Sequence, residues 1–343
     1  MNYLIFRTDR IGDFLITSTL IKAIKRNDSN SKISIVASNK NKDFIRDYNF
    51  VDEVFVLKSK NIADRFNLLL QLRKKKYDNI IIADKKNRSI FLSIFLKSRN
   101  KIFNVSKKMQ KNLLSFFYKN VFLDNDSFNK QTAKDILKNN CTSLNYDLKD
   151  EDFHYLRKDQ FINEYSHNNL LNLEKLDFLL FHYDEKWEIK NYSKLFKKAT
   201  ELTDININLK DFINFLSKLA KKTSKKIVVT TGMIETKIIN ELKGSSNKIN
   251  EFVYEIDLNN TKAHLLINEN FFSVSHIISK SSLFVTCHGA FTHIASNYNI
   301  KILDIIEKDK DVHYSKITNH MKNYKLIYRD NFLKLSEDII NNS

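Results

Sequence analysis

The sequence predicts an α/β protein built from two doubly wound halves, and three observations predict it. Short β-rich apolar runs alternate with longer helical patterns through residues 1–105. A polar stretch of mixed charge and no clear period follows from about Asn145 to Lys175, and the alternation then resumes. Such alternation implies right-handed βαβ units and mainly parallel sheets covered on both faces. A chain of 343 residues has the length for two domains of about 150 residues each. The expected boundaries are 1–170, 171–330 and a closing helical segment, 331–343, placed to pack back on the first half.

In the first half, Tyr3 to Phe6 reads as a buried strand. A polar turn from Arg7 to Gly12 and an amphipathic helix from about Asp13 to Lys25 follow. Ile33 to Ala37, Val54 to Leu57, Ile80 to Ala83 and Ile102 to Val105 are further short strands, separated by helical patterns at about 41–49, 61–75 and 89–98. In the second half the strands are Phe178 to His182, Lys226 to Thr230, Leu283 to Thr286, Lys301 to Ile305 and Tyr324 to Tyr328. Helices are expected at about 210–221, 234–243, 272–280, 289–298 and 331–340. In open α/β sheets the ligand lies beyond the carboxyl ends of the strands where their order reverses, so chemistry is expected on the strand-to-helix turns, facing a cleft between the halves.

Composition removes whole function classes. The chain has 4 Gly and no Pro, where average usage would give roughly 24 and roughly 17. The glycines, Gly12, Gly232, Gly244 and Gly289, are too far apart for a G-x-G-x-x-G or G-x-x-x-x-G-K-[ST] phosphate loop. Loops must therefore be built from Asn, Asp, Ser and Lys. Cys141 and Cys287 show no metal-ligand spacing, and neither a signal-peptide core nor a membrane-spanning apolar run is present, so a cytoplasmic location is expected. The net charge of +17 fits either a biased composition rich in Lys and Asn or attraction to an anionic partner.

Gly12, Gly232 and Gly289 all fall on strand-to-helix turns, where glycine serves close approach or positive φ. The first turn ends in Asp13, a carboxylate entering a helix. It can compensate the helix dipole, or act as a general base toward an acceptor hydroxyl, with Arg7 and Arg10 holding an anionic substrate.

The run Tyr3-Leu4-Ile5-Phe6-Arg7-Thr8-Asp9-Arg10-Ile11-Gly12-Asp13-Phe14-Leu15-Ile16-Thr17 resembles the amino-terminal signature of the family 9 glycosyltransferases, which include the ADP-heptose:lipopolysaccharide heptosyltransferases. The likeness continues through Val51 to Val54 and through Ile80 to Asp84 with Arg88 and Ser89. In the second half, Lys226 to Glu235 and Ser282 to Ser296 resemble the family's donor-binding turns. The resemblance implies a GT-B fold, two Rossmann-like domains facing across a cleft. It also implies an inverting glycosyltransferase that needs no metal and no cofactor beyond its nucleotide-sugar donor. Asp13 is then the general base. Arg7, Arg10, Asp84, Arg88 and Ser89 lie toward the acceptor, a bacterial surface glycan of lipopolysaccharide-core or capsule type, free or lipid-linked. Lys186, Gly232, Glu235, His288, Gly289, Ala290 and His293 lie toward the donor, with the helix N-terminus at Gly289-Ala290 as a phosphate cradle. Lys190 is the alternative to Lys186, and His293 serves either a phosphate or packing. His288 stands where the family has an acidic residue, which leaves the sugar open.

Basic residues interleave with aromatics through 97–119, from Lys97 and Arg99 to Phe116, Phe117 and Lys119. On a transferase with a lipid-borne acceptor this surface would meet the anionic inner leaflet, making the protein peripheral to the cytoplasmic membrane. A non-catalytic nucleic-acid-binding protein on the same scaffold, or a degenerate transferase that binds donor without turnover, are the alternatives. Nucleic acid is not the expected partner.

Overall fold

The computed structural model describes residues 1–59, 61–124, 131–153, 177–189, 202–259 and 261–343. The chain forms two compact units, Met1–Gln160 with Ser315–His320, and Phe161–Tyr314 with Met321–Ser343. The expected boundary at 170/171 and Lys190 lie outside the described residues.

The first unit is a six-stranded sheet. Strands β1 (Asn2–Phe6), β2 (Lys32–Ser38), β3 (Glu53–Leu57), β4 (Tyr77–Ile82), β5 (Ser98–Val105) and β6 (Asn120–Leu123) run in the order β3-β2-β1-β4-β5-β6, every pairing parallel. Helices α1 (Ile11–Asn27), α2 (Lys42–Arg46), α3 (Ile62–Arg73), α4 (Asn87–Ile94) and α5 (Lys108–Ser115) connect them, and α6 (Ala133–Thr142) follows. Right-handed crossovers place α1 and α2 on one face and α3, α4 and α5 on the other. Leu4, Phe6, Ile80, Ile82, Phe103 and Leu114 belong to the core beneath the second group.

Asn145–Phe153, the described part of the polar stretch, is anchored on α1. Asp152 is buried and takes two hydrogen bonds from Arg26 of α1, at 3.2 and 2.8 Å, while Phe153 is buried beside it. The sequence does not show this anchoring, because the partner of Asp152 lies 126 residues earlier. Strand β5 also begins four residues before its expected start, because Ser98 to Lys101 pair with Tyr77 to Ile80.

The second unit holds eight strands: β7 (Phe178–Tyr183), β8 (Lys226–Thr231), β9 (Asn247–Lys248), β10 (Val253–Asp257), β11 (Lys262–Leu266), β12 (Leu283–Cys287), β13 (Lys301–Ile306) and β14 (Tyr324–Tyr328). Their order is β14-β13-β12-β7-β8-β11-β10-β9. All pairings are parallel except β10 with β11 and with β9. This antiparallel edge was not foreseen. Its turn uses Asn259 at a left-handed φ of 70° rather than a glycine, so the usual hairpin punctuation is missing.

Helices α7 (Leu209–Thr223), α8 (Lys237–Ser245), α9 (Phe271–Lys280), α10 (Ala290–Ala295), α11 (Asp311–Thr318) and α12 (Phe332–Asn342) complete the second half. Helix α12 buries Phe332, Leu335 and Ile339 in the core of the second unit. Its apolar face meets Phe212 and Phe215 of α7.

Among the described residues no glycine has positive φ. The left-handed positions belong to Lys85, Asn145, Asn206, Ser224, Asn259, Asn268 and Asn323. Asparagine is the side chain that best tolerates this region after glycine, and it explains how so glycine-poor a chain turns.

Candidate functional site

In the first sheet the strand order reverses at β1, which lies between β2 and β4. The turns after β1 and β4 meet at that point. Asp84, after β4, is buried and accepts from the Thr8 amide at 3.2 Å, the Thr8 hydroxyl at 2.6 Å and the Ser89 hydroxyl at 2.7 Å. Ser89 is itself fully buried. Both residues therefore clamp the two turns together.

Arg7 joins the same network. It is buried, and its guanidinium donates to the Asp13 carbonyl at 2.9 Å, the Ala83 carbonyl at 2.7 Å and Asp9 at 3.0 Å. What remains toward solvent is Arg10, which is exposed, and Arg88 and Asp13, which are half-buried. Arg88 donates to the Thr8 hydroxyl at 2.9 Å.

Asp13 is the third residue of α1, and its carboxylate accepts from the Arg10 amide at 3.3 Å. This is the carboxylate half of a capping box. The local sequence thus holds the carboxylate in place through one oxygen. Asp9 lies beside it, partnered by Arg7 on one oxygen, while its Oδ1 is buried without a hydrogen-bond partner among the described residues. Burial, with help from the Asp13 and Asp84 charges and against Arg7, pushes the Asp9 carboxyl up to about 6.

In the second sheet the order reverses at β7, which lies between β12 and β8. The turn after β7 carries Asp184, Glu185 and Lys186, and the turn after β12 carries His288 and Gly289. The Lys186 ammonium sits 2.6 Å from Asp184 and 3.4 Å from the Cys287 carbonyl. A Cβ on Gly289 would lie 3.0 Å from it. Burial by itself would lower the Lys186 ammonium, but the Asp184, Cys287 and Glu185 groups hold it above its ordinary value, so it is charged.

Gly232, after β8, approaches the same turn from the other side. A Cβ there would collide with the Glu185 carboxylate and lie 2.8 Å from the Asp184 Cβ. Close approach, not positive φ, is what these two glycines provide. Glu235 projects into solvent and pairs with Lys243 at 2.8 Å. Trp187 is buried, stacked on Tyr183 at 5.5 Å, with its indole N–H donating to the His182 carbonyl, so it anchors the Lys186 turn from beneath.

His288 carries the residue that sequence reasoning missed. Its Nδ1 lies 2.6 Å from Asp304, a wholly buried carboxylate in β13 that also accepts from the Thr292 hydroxyl at 2.9 Å and the Tyr324 hydroxyl at 2.8 Å. The signal was a lone acid in an otherwise apolar strand, Lys301-Ile302-Leu303-Asp304-Ile305-Ile306. Ala290 opens α10, a helix of only six residues, and is half-buried. His293 is buried and edge-on to His288 at 5.4 Å.

Arg329, from the stretch 311–330 that sequence reading left unassigned, is buried and donates to the carbonyls of Lys186 and Thr203, both at 2.6 Å. It also pairs with Glu307 at 3.3 Å. Arg329 thereby ties the Lys186 turn to β14. Among the described residues no three His, Cys, Asp or Glu side chains are grouped to hold a metal ion.

No protein-family model matches the chain, and no curated protein matches it in sequence. Solved structures do match in fold. E. coli heptosyltransferase WaaC with ADP-2-deoxy-2-fluoro heptose aligns over 100% of both chains at 14% identity, with a TM-score of 0.67. A family 9 glycosyltransferase from Veillonella parvula aligns over 99% of this chain and 90% of its own, at 11% identity and a TM-score of 0.65. UDP-GlcNAc 2-epimerase from Methanocaldococcus jannaschii aligns over 100% of this chain and 93% of its own, at 12% identity and a TM-score of 0.54. The chain therefore has the GT-B fold, in the form found in heptosyltransferases and family 9 glycosyltransferases.

Proposed function

We propose that the protein is an inverting glycosyltransferase that moves a sugar from a nucleotide-sugar donor to a hydroxyl of a bacterial surface glycan, of lipopolysaccharide-core or capsule type. The observation that carries this reading is the charged Lys186 ammonium seated against the Gly289 turn at the point where the second sheet reverses. A cation beside glycine-lined backbone suits a diphosphate. In this reading the second unit binds the donor and the first supplies the base.

The acceptor oxygen attacks the anomeric carbon as its proton passes to the Asp13 carboxylate, and the anomeric carbon–oxygen bond to the diphosphate breaks. The leaving nucleoside diphosphate gains charge, which Lys186 offsets without a metal. Arg10, exposed on the first turn, and Arg88, half-buried on α4, are the cations that would meet an anionic acceptor. His288, held by Asp304, stands where the family places an acid. Nothing in the reading calls for a cofactor.

The epimerase shares the fold, so the fold by itself does not select transfer. A thermal-shift screen against ADP-, GDP-, UDP- and CMP-sugars, followed by measurement of released nucleotide with and without acceptor, tests the reading. Stabilisation by one nucleotide sugar and acceptor-dependent nucleotide release are expected. Conversion of the sugar with no acceptor would make the protein an epimerase, and binding without turnover would make it a degenerate transferase. The replacement of an acid by His288 is the observation favouring that last outcome.

A further inference from the structure

The charge of the chain is concentrated. Residues 61–120 contain 15 Lys and Arg against three Asp and no Glu, a net +12 of the total +17. The same residues carry ten of the sixteen exposed large apolar side chains among the described residues. A soluble monomer rarely gathers its exposed apolar side chains in one region unless that region meets something.

The fold puts them on one face. On α3, Ile62, Phe66 and Leu70 recur every four residues and all are exposed. On α4 and its C-cap, Phe91, Ile94 and Phe95 are exposed, with the two phenyl rings packed edge to face at 4.9 Å. On α5, Met109 and Leu113 share an outer stripe that Phe116 and Phe117 extend, the last two 84% and 75% exposed. Right-handed crossovers set these three helices on the same side of the sheet. Two bonds confirm that they are neighbours: Gln110 of α5 donates to Asn87 of α4 at 2.6 Å, and Arg73 of α3 donates to the Phe95 carbonyl at 3.3 Å.

Cations border the apolar stripe. Arg73 ends α3 and Lys74, Lys75 and Lys76 follow it, Lys97 and Arg99 follow α4, and Lys107, Lys108, Lys111 and Lys119 lie on and around α5, all of them exposed. Aromatic and aliphatic groups flanked by Lys and Arg on amphipathic helices match the layering of an anionic lipid surface, acyl chains beneath and phosphates beside them. Among the described residues no helix is long and apolar enough to cross a membrane.

We infer that the α3–α4–α5 face of the first unit docks on an anionic lipid bilayer, with Phe91, Phe95, Leu113, Phe116 and Phe117 entering the interface and the surrounding lysines meeting phosphate headgroups. The inference stands apart from the transferase reading, since it concerns residues that reading does not use.

Co-sedimentation of the full chain tests it, with vesicles of phosphatidylcholine alone and vesicles in which about a third of the lipid is phosphatidylglycerol. Binding to the anionic vesicles only, weakening as salt rises, is expected. Two variants, Phe116→Ser with Phe117→Ser, and Lys107→Glu with Lys108→Glu and Lys111→Glu, should each weaken binding at least about tenfold while leaving thermal unfolding and any nucleotide-sugar shift unchanged. Equal binding to both vesicles, binding to neither, or insensitivity to both variants would overturn the inference. So would a dimer in sedimentation velocity that the Phe variant dissolves, or RNA binding lost with the Lys variant while vesicles stay unbound.

Discussion

At the scale of single residues, the two glycines of the second unit make opposite predictions from the same observation. The tip of a lysine can yield, so Gly289→Ala, which meets the Lys186 ammonium at 3.0 Å and the Cys287 carbonyl at an ordinary 3.8 Å, should cost under about 1 kcal/mol of stability. It should nonetheless weaken nucleotide-sugar binding severalfold if, as proposed, the displaced cation is the one that meets the diphosphate. Gly232→Ala meets a carboxylate and the Asp184 backbone, which cannot yield as cheaply, and should cost about 1–3 kcal/mol by urea unfolding. Equal stabilities for the two variants would show that the turns are looser than described. The turns themselves were legible in the sequence, because glycine is so rare in it that each one marks a place. Side-chain roles were legible only in part. The network that Arg7, Asp84 and Ser89 form was not legible, because polar residues on a turn look alike whether they point outward or into each other. Asp304 went unread because its partners, His288, Thr292 and Tyr324, lie on three other elements.

At the scale of elements, the parallel core strands were readable from apolar runs, and the short β9–β11 edge was not, since its punctuation is asparagine. The pairing that locks Asn145–Phe153 onto α1 was equally hidden. Asp152 is nearly inaccessible and depends on Arg26, whose guanidinium is held above its ordinary value chiefly by its hydrogen bonds to that carboxylate, with burial opposing. Removing one partner of such a pair leaves a buried charge uncompensated. Arg26→Ala should therefore cost about 3 kcal/mol in urea unfolding, and Arg26→Ala with Asp152→Ala should recover part of that loss. A cost under about 1 kcal/mol would place the pair among ordinary surface contacts.

At the scale of the whole molecule, buried titratable groups make the two units respond differently to acid. Burial lowers His182 of the second unit to about 4, below its ordinary value near 6.5, so stability from keeping it neutral is full above pH 6.5 and is lost as pH falls toward 4. Asp9 of the first unit runs the other way: its carboxyl at about 6 costs stability as pH rises through that range. Calorimetry at pH 7.5 and pH 4.5 should show His182→Asn losing less stability on acidification than the parent, by up to about 3 kcal/mol. An identical acid response in both proteins would refute the assignment. The division into two doubly wound units was legible from strand–helix alternation; the packing of α12 was not, because an amphipathic terminal helix does not say which core it serves. The claim on which the functional account turns is that Asp13 is the base of a sugar transfer. Asn in its place keeps an oxygen to accept from the Arg10 amide, so Asp13→Asn preserves the cap while removing the base. Acceptor-dependent nucleotide release from the nucleotide sugar that stabilises the protein, measured for the parent and for Asp13→Asn, tests this most directly. A fall of at least about 100-fold in kcat with thermal stability and donor binding unchanged is the predicted result; turnover in Asp13→Asn at the parental rate would contradict it.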